Sequence, residues 1–212
     1  MKDRYDVSNL PEGQFEPGSK GLVLKNLLGI KSKKEMEALE TDQYMSVLDS
    51  CARRYGRSHR FTANDLLDIH KEWLGGIYSW AGTYRSINIS KGNFHFAAAA
   101  HIPGLMVEFT KDVLSVWTPC HESSFEQNAK AMAIVHAEFI LIHPFREGNG
   151  RMGRLLANLM ALQAGLVPLD FGDIKGRKQK FYIAAVQTAM RKDYAPMQKV
   201  FGDVIRKTMR QF

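Results

Sequence analysis

Two apolar helical stretches interrupted by His143-Pro144-Phe145-Arg146-Glu147-Gly148-Asn149-Gly150 constrain this chain more than any other feature. Before the break, Ser123-Ser124-Phe125-Glu126 reads as a helix start. Ala129, Met132, Val135, His136, Phe139 and Ile140 then recur on one inward face. Pro144 ends that helix, because its ring disfavours helical backbone at the preceding residue. A second helix restarts near Arg151 and runs to about Ala164, where Gly165 supplies a left-handed stop.

The rest of the chain is mostly helical too. Met36, Leu39, Met45 and Leu48 recur at helical spacing. Thr62-Ala63-Asn64-Asp65 is a capping box, and it opens a stretch with Leu66, Ile69, Trp73, Leu74 and Ile77 on one face. Pro103 suits the first turn of a helix carrying Leu105, Met106, Phe109, Val113 and Trp117. Two more helices are predicted around 175–191 and 196–210. One region departs from this pattern. Ala81-Gly82-Thr83 reads as a turn, Tyr84 to Ser90 as a short strand, Lys91-Gly92-Asn93 as a turn and Phe94-His95-Phe96 as a return strand. Residues 1–19, rich in Gly, Pro and acids, read as an extended arm, and 20–212 as a single domain. The fold class expected is all-α with one β-hairpin.

Composition narrows the function. A hydrophobic fraction of 45% with 24% charged residues is that of a soluble globular protein. No apolar run is long enough to span a membrane, and the N-terminus has no apolar leader core. Cys51 and Cys120 have no metal-ligand spacing, so two thiols in a reducing cytoplasm are expected. The net charge of +7 admits a nucleic acid, an acidic protein or a phosphate-bearing ligand. The basic residues are scattered, however, and the densest group, Lys175 to Lys180, reads as a solvated loop and helix start.

The interhelical loop carries the chemistry. Gly148, Asn149 and Gly150 accept positive φ and let backbone approach a ligand. Their N–H groups precede a helix whose first turn has unsatisfied donors and a partial positive charge, a nest for a di- or triphosphate. Arg151 and Arg154, three residues apart, face the same side over that nest. Glu147 is the loop's carboxylate, suited to Mg²⁺ shared with phosphate oxygens. His143 has an ordinary pKa near 6.5, fit for proton abstraction at neutral pH. Phe145, apolar in a polar loop, reads as an anchor to the core. His136 reads as a core histidine and Tyr182 as a candidate wall for a nucleobase. His95 and His101 are expected in solvent, and Trp73, Trp80 and Trp117 in the core.

The segment His143 to Arg154 resembles the Fic family signature, His-Pro-Phe-x-acid-Gly-Asn-Gly-Arg-x-x-Arg, at every specified position. Trp80-Ala81-Gly82, Arg85 and Lys91-Gly92 are similar to the stretch that precedes the family's flap. The resemblance implies a Fic-type helical domain and a protein adenylyltransferase. It implies His143 as the base taking a proton from a target Tyr, Ser or Thr hydroxyl, which attacks the α-phosphate of ATP and expels pyrophosphate. Glu147 would hold Mg²⁺, and Gly148, Asn149 and Gly150 would form the anion hole. Arg151 would serve the β-phosphate and Arg154 the γ-phosphate. Lys91 and Gly92 would contact nucleotide, and Asn93, Phe94, His95 and Phe96 would form the flap that docks the target. An inhibitory helix of the family's kind, Ser/Thr-x-x-x-Glu-Gly/Asn, is not expected in this chain. That departure implies a small antitoxin-like partner supplying a glutamate to Arg154, in a bacterial cytoplasm or in a cell to which the protein is delivered. Transfer of UMP or phosphocholine, and a non-catalytic basic binding module, are the alternatives.

Overall fold

One helix, two thirds of its residues buried, organises the chain. The structure is a computed structural model describing residues 10–92, 94–121 and 124–211. Residues 1–9 of the expected arm, Asn93 of the flap and Ser123 of the expected cap lie outside the described residues. In chain order the helices are α1 (Lys33–Arg54), α2 (Ala63–Leu74), α3 (Ile102–Glu108), α4 (Phe125–Ile142), α5 (Asn149–Gln163), α6 (Gly176–Ala189) and α7 (Ala195–Met209). Between α2 and α3 lies the hairpin of β1 (Ser90–Lys91) and β2 (Phe94–His95). Helix α4 is the organiser. From Ala131 onward it is apolar around most of its circumference, as a largely enclosed helix must be. Its Ala129, Ala131, Ala133 and Ala137 are buried and allow close approach, and α3, α5, α6 and α7 pack around it. Helix α1 covers α2 and α5.

Local sequence explains the helix ends. The Ser32 hydroxyl accepts from the Glu35 N–H, Thr62 and Asp65 form the expected capping box, and Ser124 accepts from Gln127 N–H. Gly165 takes φ +76° just past α5, the left-handed stop expected of it. Helix α3 does not end regularly. It passes through a π-helical stretch at Phe109–Leu114 before Ser115–Trp117. Thr110 donates to the Met106 carbonyl at 3.0 Å and accepts the Ala63 N–H at 2.9 Å, which ties this distorted turn to the start of α2.

The hairpin is shorter than predicted. The register is Ser90 opposite His95 and Lys91 opposite Phe94, and Tyr84 to Ile89 form no ladder. The β-branched pattern there misleads because Arg85 directs that segment's bonding elsewhere. Its N–H reaches the Pro144 carbonyl at 2.9 Å, across to the interhelical loop. The described part of the arm turns back on itself. Phe15 bridges Leu24, Glu16 N–H meets the Val23 carbonyl at 2.9 Å, and Lys25 N–H meets that of Gln14 at 3.0 Å. Buried Glu12 accepts the Ser86 N–H at 2.8 Å and the Ser86 hydroxyl, and its carbonyl accepts Arg146 Nε–H at 2.6 Å. The arm therefore holds both the base of the hairpin and the interhelical loop.

Candidate active site

His143 ends α4 in the left-handed conformation, φ 53° and ψ 59°, which a non-glycine residue adopts only where its surroundings hold it there. Several contacts supply that restraint. Its N–H donates to the Phe139 carbonyl at 2.9 Å. Its carbonyl accepts Arg85 Nε–H at 2.7 Å. The ring stacks on Phe96 of the hairpin, with centroids 3.7 Å apart and planes 15° apart. Its Nδ1 lies 3.2 Å from the Ile140 carbonyl. Only a donor can face that oxygen, so the neutral ring carries its proton on Nδ1 and leaves Nε2 as a bare acceptor. Burial first, then the cations Arg85 and Lys91, lower its pKa to about 4 against the opposing Ile140 bond. The imidazole is thus neutral at pH 7, the form a base requires.

Arg85 is the hub of this region. Buried to 2% exposure, its guanidinium donates to the carbonyls of His143 (2.7 Å), Ile87 (2.6 Å), Ala97 (2.6 Å) and Ile142 (3.4 Å). Two of these lie at the C-terminal end of α4, where a cation is favoured by the helix dipole. The other two belong to the chain on either side of the hairpin.

The loop after His143 is locked from within. Phe145 is fully buried and stacks on His70, with centroids 3.8 Å and planes 5° apart. The Asn149 side chain accepts the Phe145 N–H at 2.9 Å and donates back to the Phe145 carbonyl at 2.7 Å. Its amide therefore closes the loop, and only its backbone is left to face a ligand. His70 fixes the other side. It accepts the Gly82 N–H on Nδ1 at 2.9 Å and so donates from Nε2 to the Glu147 carbonyl at 3.2 Å. Gly148 takes φ +82°, and a Cβ there would lie 2.6 Å from the Trp73 ring, so the position excludes any side chain.

From this frame α5 points its N-terminus outward. The N–H groups of Asn149, Gly150 and Arg151 have no carbonyl four residues earlier within the helix. The Gly148 N–H is taken by Glu147 Oε1 at 2.8 Å. Arg151 lies over Trp73, with its Cζ 4.6 Å from the ring centroid, and pairs with Glu40 at 2.7 Å and more loosely with Glu147 at 3.6 Å. Arg154 extends beside Gly150, and its charge acts on Tyr44, Tyr182 and His136, which surround it. Among the described residues no carboxylate forms an ion pair with Arg154. His136 is buried as expected and its Nε2 meets the Tyr182 hydroxyl at 2.8 Å, beside the Arg154 charge. Lys91, Gly92 and His95 are exposed on the hairpin, with Phe94 and Phe96 half-buried beneath it.

No group of three or more His, Cys, Asp or Glu among the described residues could ligate a metal. Glu147 is an exposed carboxylate beside the N-terminus of α5. One carboxylate with the remaining ligands drawn from phosphate and water fits Mg²⁺, and would not fit zinc or calcium.

Sequence reasoning missed His70 and Glu40. Each carried a signal: His70 stands among Leu66, Ile69, Trp73 and Leu74, and Glu40 stands four residues after Met36 on the buried stripe of α1. A polar residue at a core position marks a structural or functional bond.

The buried histidines make stability depend on pH. Burial lowers His70 and His136 from 6.5 to about 4, so both are neutral in the folded chain. Below pH 6.5 the unfolded chain binds these protons and the folded chain does not. Stability is therefore full above pH 6.5, declines as pH falls toward 4, and levels off below it. Between pH 6.5 and 5 each histidine should remove about 2 kcal/mol. Urea midpoints at pH 7.5 and 5 measure this, and equal midpoints would contradict it.

The geometry has close relatives. Residues 60–161 match the model of the Fic/DOC family. The protein adenylyltransferase VbhT of Bartonella schoenbuchensis is 30% identical over 99% of this chain, which covers 41% of that protein. The protein adenylyltransferase Fic of Culex quinquefasciatus is 25% identical over 85% of this chain and 36% of its own length. The chain thus spans less than half the length of either. Among solved structures, the N-terminal Fic domain of a Bartonella effector from strain AR 15-3 superposes with TM-score 0.73, at 24% identity, over 96% of this chain and 94% of that one. BepC of Bartonella tribocorum, solved with bound AMPPNP, gives 0.67 at 23% identity, over 85% and 91%. With that agreement in fold and the signature complete from His143 to Arg154, residues 60–161 are a domain of the Fic/DOC family.

Proposed function

We propose that the chain is a protein adenylyltransferase, moving AMP from Mg-ATP to a hydroxyl side chain of another protein. The observation that carries this reading is the state of His143. It is neutral at pH 7, with its proton fixed on Nδ1 and its acceptor nitrogen bare, one loop away from a helix end with two arginines. In that arrangement Nε2 takes the proton of a target Tyr, Ser or Thr as its oxygen attacks the α-phosphorus, and pyrophosphate leaves. The first-turn N–H groups of α5 accept the charge that develops on phosphate oxygens. Arg151 and Arg154 bind the β- and γ-phosphates, and Glu147 is the carboxylate that holds Mg²⁺. When bound, Mg²⁺ neutralises phosphate charge and orients the leaving group. The hairpin's exposed edge beside Lys91 docks an extended segment of the target.

Arg154, with no acid partner among the described residues, supports a regulator from outside the chain. A small antitoxin-like protein placing a glutamate against Arg154 would block the γ-phosphate. Such a pair acts in the bacterial cytoplasm. The names of relatives described as translocated Bartonella effectors support delivery to another cell as a second setting.

Incubation with α-³²P-ATP and, separately, γ-³²P-ATP in cell lysate tests the reaction. Protein label from the α position alone, lost in His143→Ala, is the expected result. Label from γ alone would replace adenylyl transfer with phosphorylation, and no label from either would point to another donor such as UTP.

A further inference from the structure

Glu40 lies outside the signature, on α1, yet it touches the signature directly. Only 5% exposed, it places Oε2 2.7 Å from Arg151 Nη2. Its other oxygen accepts the Tyr78 hydroxyl at 2.7 Å, and its backbone carbonyl accepts Trp73 Nε1–H at 2.8 Å. Trp73 in turn supports the Arg151 guanidinium from below and abuts Gly148. The carboxylate is therefore fixed at both oxygens and at its own backbone, on a helix of 22 residues. It cannot follow Arg151 outward, so Arg151 must stay with it.

Resting on the adenylyltransferase reading above, we propose that Glu40, set by Tyr78 and Trp73, is a positioning residue that holds the Arg151 guanidinium in the orientation that binds the nucleotide's phosphates. Glu40 does not touch substrate; it acts through Arg151. The physical case is one of direction and flexibility. A free arginine side chain samples many rotamers, and each would have to be frozen out when ATP arrives. Here the ring beneath and the carboxylate at one Nη settle the plane and the azimuth of the fork beforehand. The remaining N–H groups stay available for phosphate oxygens. The Glu40 charge also balances that of Arg151 before nucleotide binds, so the chain can keep a half-buried cation next to Arg154. A purely structural role for Glu40 would stabilise the packing of α1 against α5 and leave phosphate affinity alone.

Calorimetric titration with Mg-ATP, together with initial rates of α-³²P incorporation into lysate protein at varied ATP, distinguishes these roles. The variants are Glu40→Gln, Tyr78→Phe, Arg151→Ala and the double Glu40→Gln/Arg151→Ala, each with its melting temperature. Glu40→Gln should raise the Kd and apparent KM for ATP about tenfold, with the maximal rate changed less than about threefold. The double variant should bind ATP within about twofold of Arg151→Ala, because the two residues act as one unit. An affinity within twofold of wild type in Glu40→Gln, or losses that multiply in the double variant, would overturn the proposal. If Glu40→Gln does not fold, Tyr78→Phe decides: it should weaken ATP about threefold, and unchanged affinity would count against the proposal. A wild-type protein that neither binds ATP nor labels protein sinks the adenylyltransferase reading instead.

Discussion

His143→Ala is expected to lower AMP transfer by about 10³-fold while leaving ATP affinity within about twofold. The loss follows from chemistry, since no other group at the loop is both neutral at pH 7 and bare at a nitrogen. His70 and His136 share the lowered pKa, but each is committed on both sides or buried away from the loop mouth. The unchanged affinity follows from position. The α5 N-terminus and Arg151 are held by Asn149, Trp73 and Glu40, and none of these depends on the imidazole. Rates with α-labelled ATP and a calorimetric titration check both halves. A transfer rate within tenfold of wild type would remove His143 from the chemistry. A large loss of ATP affinity would make its role one of folding the loop.

Arg85→Ala should have the largest effect on the fold. Four carbonyls, of Ile87, Ala97, Ile142 and His143, take their donors from this one guanidinium. Alanine would leave them without that donor in a largely buried region. At about 1–3 kcal/mol for an unsatisfied buried group, and with water regaining some of them, a loss of roughly 4 kcal/mol is expected. For a domain of this size that corresponds to a melting temperature lower by roughly 10 °C. Lysine offers a compact ammonium in place of the planar fork, so Arg85→Lys should recover less than half of the loss. A melting temperature within 2 °C of wild type for the alanine variant would show that the four carbonyls find other partners.

The helical frame was legible because caps and period agree. Thr62 with Asp65, the Pro144 break and Gly165 each mark an end that the structure bears out. Phe145 was legible as an anchor from its composition alone. The length of the hairpin was not. Tyr84 to Ile89 have strand-like residues, but their pairing is decided by Arg85, whose partners include His143, 58 residues away in the chain. Helix α5 begins at Asn149 rather than Arg151, because the Asn149 amide closes the loop on Phe145. The signature could be read from the sequence because it is contiguous. What sets its geometry was not, because Glu12, Glu40 and His70 come from three other segments.

That division bears on how small a working fragment can be. The segment that matches the family model, 60–161, excludes the arm, α1 and α6. Cut to those bounds, Arg151 would lose Glu40, Ser86 would lose Glu12 and His136 would lose its hydroxyl partner. A graft of the matched region onto another scaffold would thus carry the reactive side chains without the parts that aim them. The smallest transplantable piece must reach back at least to the turn around Glu12 and forward through Tyr182.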